Sequence, residues 1–133
     1  MAQHVLVLVL FDSRGGLTEQ IAEAVAAGVR SVRGVDLLYR RLDEAQIDEL
    51  KTCDALILGS PNWSGMTGKL KEWFDHSGDL WETGELAGKP GACFTAGWSR
   101  SGNGRDRSVG GGGHRVVAGD ELRLGVCTGE LAR

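Results

Sequence analysis

Short, continuous apolar runs alternate along the chain with segments in which apolar residues recur every three or four positions. The first run, Val5–Leu10, has no polar interruption; it is too short for a helix and typical of a strand covered on both faces. Similar runs predict three further strands, at Val35–Tyr39, Ala55–Leu58 and Gly91–Thr95. The pattern therefore predicts a sheet of buried strands.

The helical periodicity falls between these strands. From Leu17 to Val32 the apolar residues recur at the spacing of one helix face. Asp43 is placed to cap a short helix that runs through Leu50, and Thr67–His76 predicts a third helix. The order β-α-β-α-β-α-β predicts right-handed crossovers and an α/β fold, in which a parallel sheet lies between two layers of helices.

Three polar loops follow predicted strands, at residues 11–18, 59–67 and 95–102. All three are rich in Gly, Ser, Thr or Asn. Because ligands of such sheets bind outside the carboxyl ends of the strands, the loops together predict a binding site.

The first loop has the composition of a phosphate-binding turn. Ser13, Gly15, Gly16 and Thr18 stand just before a helix, whose N-terminal N–H groups and dipole favour an anion. The loop matches neither Gly-x-Gly-x-x-Gly nor Gly-x-x-x-x-Gly-Lys, which disfavours the common dinucleotide and nucleotide sites. A plain strand-to-helix turn, with Thr18 as its cap, remains an alternative.

The other two loops carry tryptophans, Trp63 and Trp98. An indole at the edge of a sheet offers a flat apolar surface to a planar ligand, although packing against the next helix would also explain it. One phosphate loop and two aromatic loops suit a ligand with a phosphate at one end and a flat ring at the other. Flavin mononucleotide (FMN) has this form.

The same segments carry a family resemblance. Phe11-Asp-Ser-Arg-Gly-Gly-Leu-Thr18 resembles the phosphate loop of flavodoxin-like proteins. The runs Gly59-Ser-Pro-Asn-Trp-Ser-Gly-Met-Thr-Gly-Lys-Leu-Lys-Glu-Trp-Phe-Asp75 and Gly84-Glu-Leu-Ala-Gly-Lys-Pro-Gly-Ala92 resemble the WrbA-type NAD(P)H:quinone oxidoreductases of that fold. The resemblance covers roughly residues 4–102.

The resemblance implies a set of FMN-binding residues. The phosphate loop would comprise Ser13, Arg14, Gly15, Gly16, Leu17 and Thr18. The two loops beside the isoalloxazine ring would comprise Pro61, Asn62, Trp63, Ser64 and Gly65, and Thr95, Ala96, Gly97 and Trp98. Trp81 is a weaker candidate, in a segment that approaches the flavin of a neighbouring subunit in such proteins.

The resemblance also implies the chemistry. NAD(P)H would reduce FMN, and two electrons would pass to a quinone, with no catalytic side chain required. A flavodoxin that carries electrons is the alternative, although a net charge of −3 is small for that class. A truncated domain with weak or no flavin binding is the third possibility. A homodimer or homotetramer is implied by the resemblance alone.

Composition and charge exclude several classes of binding partner and site. The net charge of −3 gives no basic field for nucleic acid or an anionic membrane, and no apolar run could span a bilayer. The start lacks the features of a signal peptide, which favours the cytoplasm. The three separated cysteines form no Cys-x-x-Cys motif, and no metal site is predicted. We expect His76 to cap a helix, and acidic residues such as Asp12 to be solvated.

The last 31 residues differ from the rest. Residues 103–133 hold 8 of the 21 glycines and 5 arginines but no lysine. Only Val116–Val117 and Leu122–Cys127 are strand-like, and the latter could supply a fifth strand. The sequence therefore predicts a flavodoxin-like FMN-binding domain at 1–102, and at 103–133 an atypical tail in place of the last helices and strand.

A frameshift near residue 102 is one hypothesis for this tail. With codons chosen freely, a shift of one base gives Glu-Thr and then a helix rich in Ala and Leu, as the family has there. Without its last helices, the sheet would leave apolar surface exposed. We therefore expect FMN binding to be weak or to depend on oligomerisation.

Overall fold

The computed structural model describes residues 4–62, 66–98, 115–117 and 122–130, with the backbone alone at 97–98, 115–117 and 122–130. The strands are β1 Val5–Phe11, β2 Val35–Arg41, β3 Ala55–Pro61, β4 Pro90–Trp98, β5 Arg115–Val117 and β6 Leu122–Glu130. The helices are α1 Leu17–Arg30, α2 Glu49–Thr52, α3 Gly68–Asp75 and α4 Gly78–Glu82.

The strands form one sheet in the order β2-β1-β3-β4-β6-β5. Strands β2, β1, β3 and β4 are parallel, as the alternating pattern predicts. The chain leaves β1 for β2 on one side and then returns to β3 on the other side. The carboxyl ends of β1 and β3 therefore flank a topological switch point, where sheets of this kind bind ligands.

Apolar side chains of the parallel strands build a core on each face of the sheet. On one face, Val9 and Phe11 are fully buried against α1, where Ala22 is also fully buried. On the other face, Leu8 and Leu10 are fully buried in a cluster supplied by α2, α3, α4 and the turns beside them. The uninterrupted apolar run of β1 thus has the predicted cause: both of its faces are covered.

The helix predicted from Asp43 to Leu50 is wrong in its bounds. The chain forms turns after β2, and α2 begins only at Glu49. Asp43 caps nothing there: its exposed carboxylate pairs with Lys69 of α3. The short helix α4 had no counterpart in the prediction, because a single turn is too brief to show periodicity.

The third predicted loop is also partly wrong, since β4 extends to Trp98. Thr95, Ala96, Gly97 and Trp98 therefore belong to a strand rather than to a loop. Ser60 pairs with Thr95 and Pro61 with Ala96, so β3 and β4 continue side by side to the edge of the sheet.

A strand does follow in the tail, but its direction differs from the parallel neighbours. Strand β6 begins at the predicted Leu122 and runs antiparallel to β4, and β5 is antiparallel to β6. An antiparallel return needs no crossover helix between the strands. The β4–β6 register places Cys93 directly opposite Cys127.

Candidate functional site

The carboxyl ends of β1, β3 and β4 form one continuous edge. Phe11 lies opposite Gly59, and Pro61 lies opposite Ala96. Beyond the paired residues, the Asp12 N–H donates to the Gly59 carbonyl at 3.0 Å. The Asn62 N–H donates to the Ala96 carbonyl at 2.9 Å. The starts of the three predicted loops are therefore held together at this edge, next to the switch point.

The first loop passes into α1 through Gly16. This residue is the N-cap and has a φ of +85°, a left-handed conformation that glycine adopts readily. Gly16 can offer no side-chain oxygen to the first N–H groups of the helix. Thr18 is buried in the first turn and is not the N-cap, so the capping role expected for Thr18 is not observed.

Ser13 organises this loop from within. Its Oγ accepts hydrogen bonds from the Gly16 N–H at 3.2 Å and from the Glu19 N–H at 3.3 Å. A serine hydroxyl has two acceptor lone pairs and one proton to donate. With both lone pairs engaged by the loop, the polar capacity that Ser13 can offer a ligand is a donor, which suits an anion.

One charged pair and one exposed arginine define the electrostatics beside the start of α1. The Glu19 carboxylate in the first turn receives a hydrogen bond from the Arg41 guanidinium at 3.0 Å. This pairing offsets the negative charge that Glu19 would otherwise place beside an anion. Arg14 is exposed at the loop itself.

The second loop is closed at its base by a buried hydrogen bond. The Thr67 N–H donates to the Ser60 Oγ at 3.2 Å, joining the end of β3 to the start of α3. The Thr67 Oγ1 accepts from the Leu70 N–H at 3.3 Å and is the N-cap of α3. The Thr95 Oγ1 donates to the Ser60 carbonyl at 2.9 Å, which ties β4 to the same base.

Asp12 joins the first loop to the second. Its side chain is only 7% exposed, and its Oδ2 accepts a hydrogen bond from the Thr67 Oγ1 at 2.5 Å. The expectation that Asp12 is solvated is therefore wrong. Sequence reasoning missed Asp12, Ser60 and Thr67, although two-residue alternation along β1 assigns Asp12 to the same face as Leu8 and Leu10.

The structure describes some of the predicted site residues and not others. The first loop is complete, and Pro61 is buried and Asn62 half-buried beside it. Thr95 is half-buried and Ala96 is 3% exposed on β4. Trp63, Ser64 and Gly65 lie outside the described residues, and Gly97 and Trp98 are described by their backbone alone.

Two further candidates serve the fold. The C-cap of α3 is His76, whose side chain is exposed, as expected of a capping residue. Trp81 lies on α4, half-buried against the core, and its indole N–H donates to the Ser77 Oγ at 2.9 Å. These contacts give Trp81 a packing role within the chain.

Within the described ranges, no cluster of three His, Cys, Asp or Glu side chains is placed to hold a metal ion. No helix in that same part of the chain has the length and apolar character needed to cross a bilayer.

Comparison with known proteins supports the flavin-related resemblance. The family model for NADPH-dependent FMN reductase matches residues 43–108. A flavodoxin from Aquifex aeolicus is 41% identical over 96 residues, covering 69% of this chain and 51% of that protein. An NAD(P)H dehydrogenase (quinone) from Acidithiobacillus ferrooxidans is 36% identical over 111 residues, covering 68% of this chain and 56% of that protein. The chain spans about half the length of these curated relatives.

The solved structures agree on the fold. The WrbA-like flavodoxin from Agrobacterium tumefaciens superposes with a TM-score of 0.62 at 26% identity, covering 74% of this chain and 63% of that one. The strand order 2-1-3-4 observed here is the beginning of the flavodoxin-like order. The chain therefore has a flavodoxin-like fold and is similar to a WrbA-like member of it.

Proposed function

We propose that the chain binds FMN at the carboxyl edge formed by β1, β3 and β4. The observation that carries this proposal is the left-handed Gly16 at the start of α1, beside the β1–β3 switch point. It leads the chain into a helix whose N-cap supplies no side-chain acceptor. Anions bind at helix N-termini, and flavodoxin-like sheets hold FMN at this switch point.

The residues present fit the phosphate end of FMN. A Cβ built on Gly15 or Gly16 would meet nothing within 4 Å, so open space adjoins the loop. Ser13 can donate its hydroxyl proton, while Arg14 supplies a positive charge on the exposed side. In this proposal the phosphate is held by Ser13, Arg14, Gly15, Gly16, Leu17 and Thr18.

The ring end of FMN would lie between the second loop and the end of β4. The proposed contacts are Pro61, Asn62, Trp63, Ser64 and Gly65, and Thr95, Ala96, Gly97 and Trp98. The described base of this region is rigidly hydrogen-bonded through Ser60 and Thr67, which supports a fixed position for the ring.

The reaction we propose is two-electron transfer from NAD(P)H to a quinone. When bound, FMN supplies the hydride and electron chemistry. The chain's own residues bind and orient the flavin, and no side chain is assigned as nucleophile or base. The relatives named NAD(P)H dehydrogenase (quinone) support this substrate pair.

Electron carriage without turnover is a second candidate, favoured by the relative named flavodoxin at 41% identity. The two functions separate in one assay. Purified protein with added FMN should oxidise NADH or NADPH in the presence of benzoquinone if it is a quinone reductase. A flavodoxin would bind FMN but show no such turnover.

The remaining proposals concern context. We place the protein in the cytoplasm and expect a homodimer or homotetramer, on the family resemblance. We also propose the division into a flavin domain at 1–102 and a tail at 103–133, with weak FMN binding as its consequence. Sequencing the gene around codon 102 tests the frameshift hypothesis, which requires a family-like continuation in the shifted frame.

A further inference from the structure

A buried hydrogen bond connects the two loops that would hold opposite ends of FMN. Asp12 lies near the start of the first loop, residues 11–18, and Thr67 is the last residue of the second, residues 59–67. The Thr67 Oγ1 lies 2.5 Å from the Asp12 Oδ2, a distance typical of a hydroxyl that donates to a carboxylate. Thr67 is 8% exposed and Asp12 is 7% exposed, so water competes little for the bond.

Each partner is fixed by other bonds. The Asp12 N–H is held by the Gly59 carbonyl on β3. Thr67 is held by the Ser60 Oγ at its N–H, and it caps α3 through the Leu70 N–H. A change at this pair would therefore shift one loop relative to the other without unfolding either of them.

We infer that the Asp12–Thr67 pair sets the distance between the first loop, which would hold the phosphate, and the second loop, which would lie beside the flavin ring (the ring loop). This inference rests on the proposed binding of FMN. Asp12 is a positioning residue that touches no ligand. A flavin with a phosphate must contact both loops at once, so its binding depends on their spacing. Riboflavin lacks the phosphate and contacts the ring loop alone, so its binding depends much less on that spacing.

The test measures dissociation constants of FMN and riboflavin by quenching of flavin fluorescence on the full chain. Asp12→Ala should reduce the preference for FMN over riboflavin by about tenfold, the usual effect of losing one hydrogen bond to a charged group. Asp12→Asn keeps an acceptor for the Thr67 hydroxyl and should restore the wild-type preference. A merely structural role would change the stability and leave this preference unchanged.

The matched control is Asp54→Ala. The Asp54 Oδ2 accepts from the Leu6 N–H at 2.8 Å, so this aspartate also bonds to β1, but at the opposite edge of the sheet. Its removal should leave the FMN preference unchanged.

Substitutions at Thr67 test the same bond if the Asp12→Ala protein folds poorly. Thr67→Val removes the donor and should lower the preference as much, whereas Thr67→Ser should not. The double variant Asp12→Ala/Thr67→Val should lose no more preference than either single variant. The inference would be overturned if Asp12→Ala and Thr67→Val left the preference for FMN over riboflavin unchanged. It would also be overturned if the double variant lost the sum of the two single losses. Failure of the proposed function is distinct: the wild-type chain would then bind no FMN, and the inference would fall with it.

Discussion

The ring of Phe94 occupies the space above Gly59, its partner across the β3–β4 pairing. A Cβ on Gly59 would overlap the Phe94 ring, which is itself 3% exposed. The same Gly59 carbonyl receives the Asp12 N–H at the edge of the site. Close packing at this point therefore supports the part of the sheet from which the candidate loops leave.

Gly59→Ala should lower the free energy of unfolding by about 1–3 kcal/mol, because overpacking forces the ring or the backbone to move. Chemical denaturation followed by circular dichroism measures the change. Gly28→Ala is the control, since Gly28 lies inside α1 with nothing within 4 Å of a new Cβ. That variant should be stabilised by up to about 1 kcal/mol. Equal stability of the two variants would contradict the packing described.

The adjacent glycines of the first loop should respond differently to alanine. Gly16 has a φ of +85°, whereas Gly15 is not in the left-handed region, and neither would meet a neighbour with a new Cβ. Gly16→Ala should cost about 1–2 kcal/mol of stability and weaken FMN binding, because alanine resists this backbone conformation. Gly15→Ala should change the stability little. Denaturation and FMN titration of both variants check the contrast.

The buried hydroxyl of Tyr39 should lower the free energy of unfolding at neutral pH, and more strongly at alkaline pH. Its buried Oη finds no hydrogen-bond partner among the described residues. Burial, followed by the charges of Glu23 and Glu19, raises the pKa of the phenol above its usual value of 10.0. The unfolded chain therefore loses this proton at lower pH than the folded chain, so stability falls as pH rises above about 10.

Tyr39→Phe should increase the free energy of unfolding by about 1 kcal/mol at neutral pH, since it removes a buried polar group without a partner. It should also reduce the loss of stability above pH 10. Urea denaturation of both proteins at pH 7 and pH 10.5 measures these effects. A less stable Tyr39→Phe protein at neutral pH would show that the hydroxyl makes a favourable bond.

The antiparallel register of β4 and β6 can be tested through Cys93 and Cys127. Directly opposite residues in such a pair have Cα atoms about 4.5–5.5 Å apart, within the range that a disulfide spans. Cys93 is disulfide-bonded, and this register predicts that Cys127 is its partner without any added oxidant. Peptide mapping should find the link between 93 and 127. A link from Cys53, which is buried and free, would contradict the register.

The sequence predicted the elements whose signal is local and repeated. The uninterrupted run of β1 and the periodicity of α1 gave both elements nearly at their observed bounds. Short helices were not predicted correctly, because a single helical turn is too brief to show a periodicity. This explains why α4 was missed and why the start of α2 was misplaced. The edge where three strands end was predictable from topology, because parallel strands end together.

The contacts within the site were less predictable. The Asp12–Thr67 bond joins residues 55 positions apart, and an aspartate after a strand is more often solvated than buried. Burial of Asp12 requires the start of α3 to pack against the end of β1, which no local pattern encodes. The direction of β6 was likewise not available from its apolar residues, because a strand has the same pattern in either direction.

FMN titration of the purified full chain tests directly whether this protein binds a flavin. Flavin fluorescence and the visible absorbance spectrum are followed as protein is added to a fixed amount of FMN. We expect saturable quenching and a spectral shift that reach one FMN per chain, with weaker binding in Gly16→Ala than in Gly15→Ala. Unchanged fluorescence and an unshifted spectrum at every protein concentration would contradict this expectation.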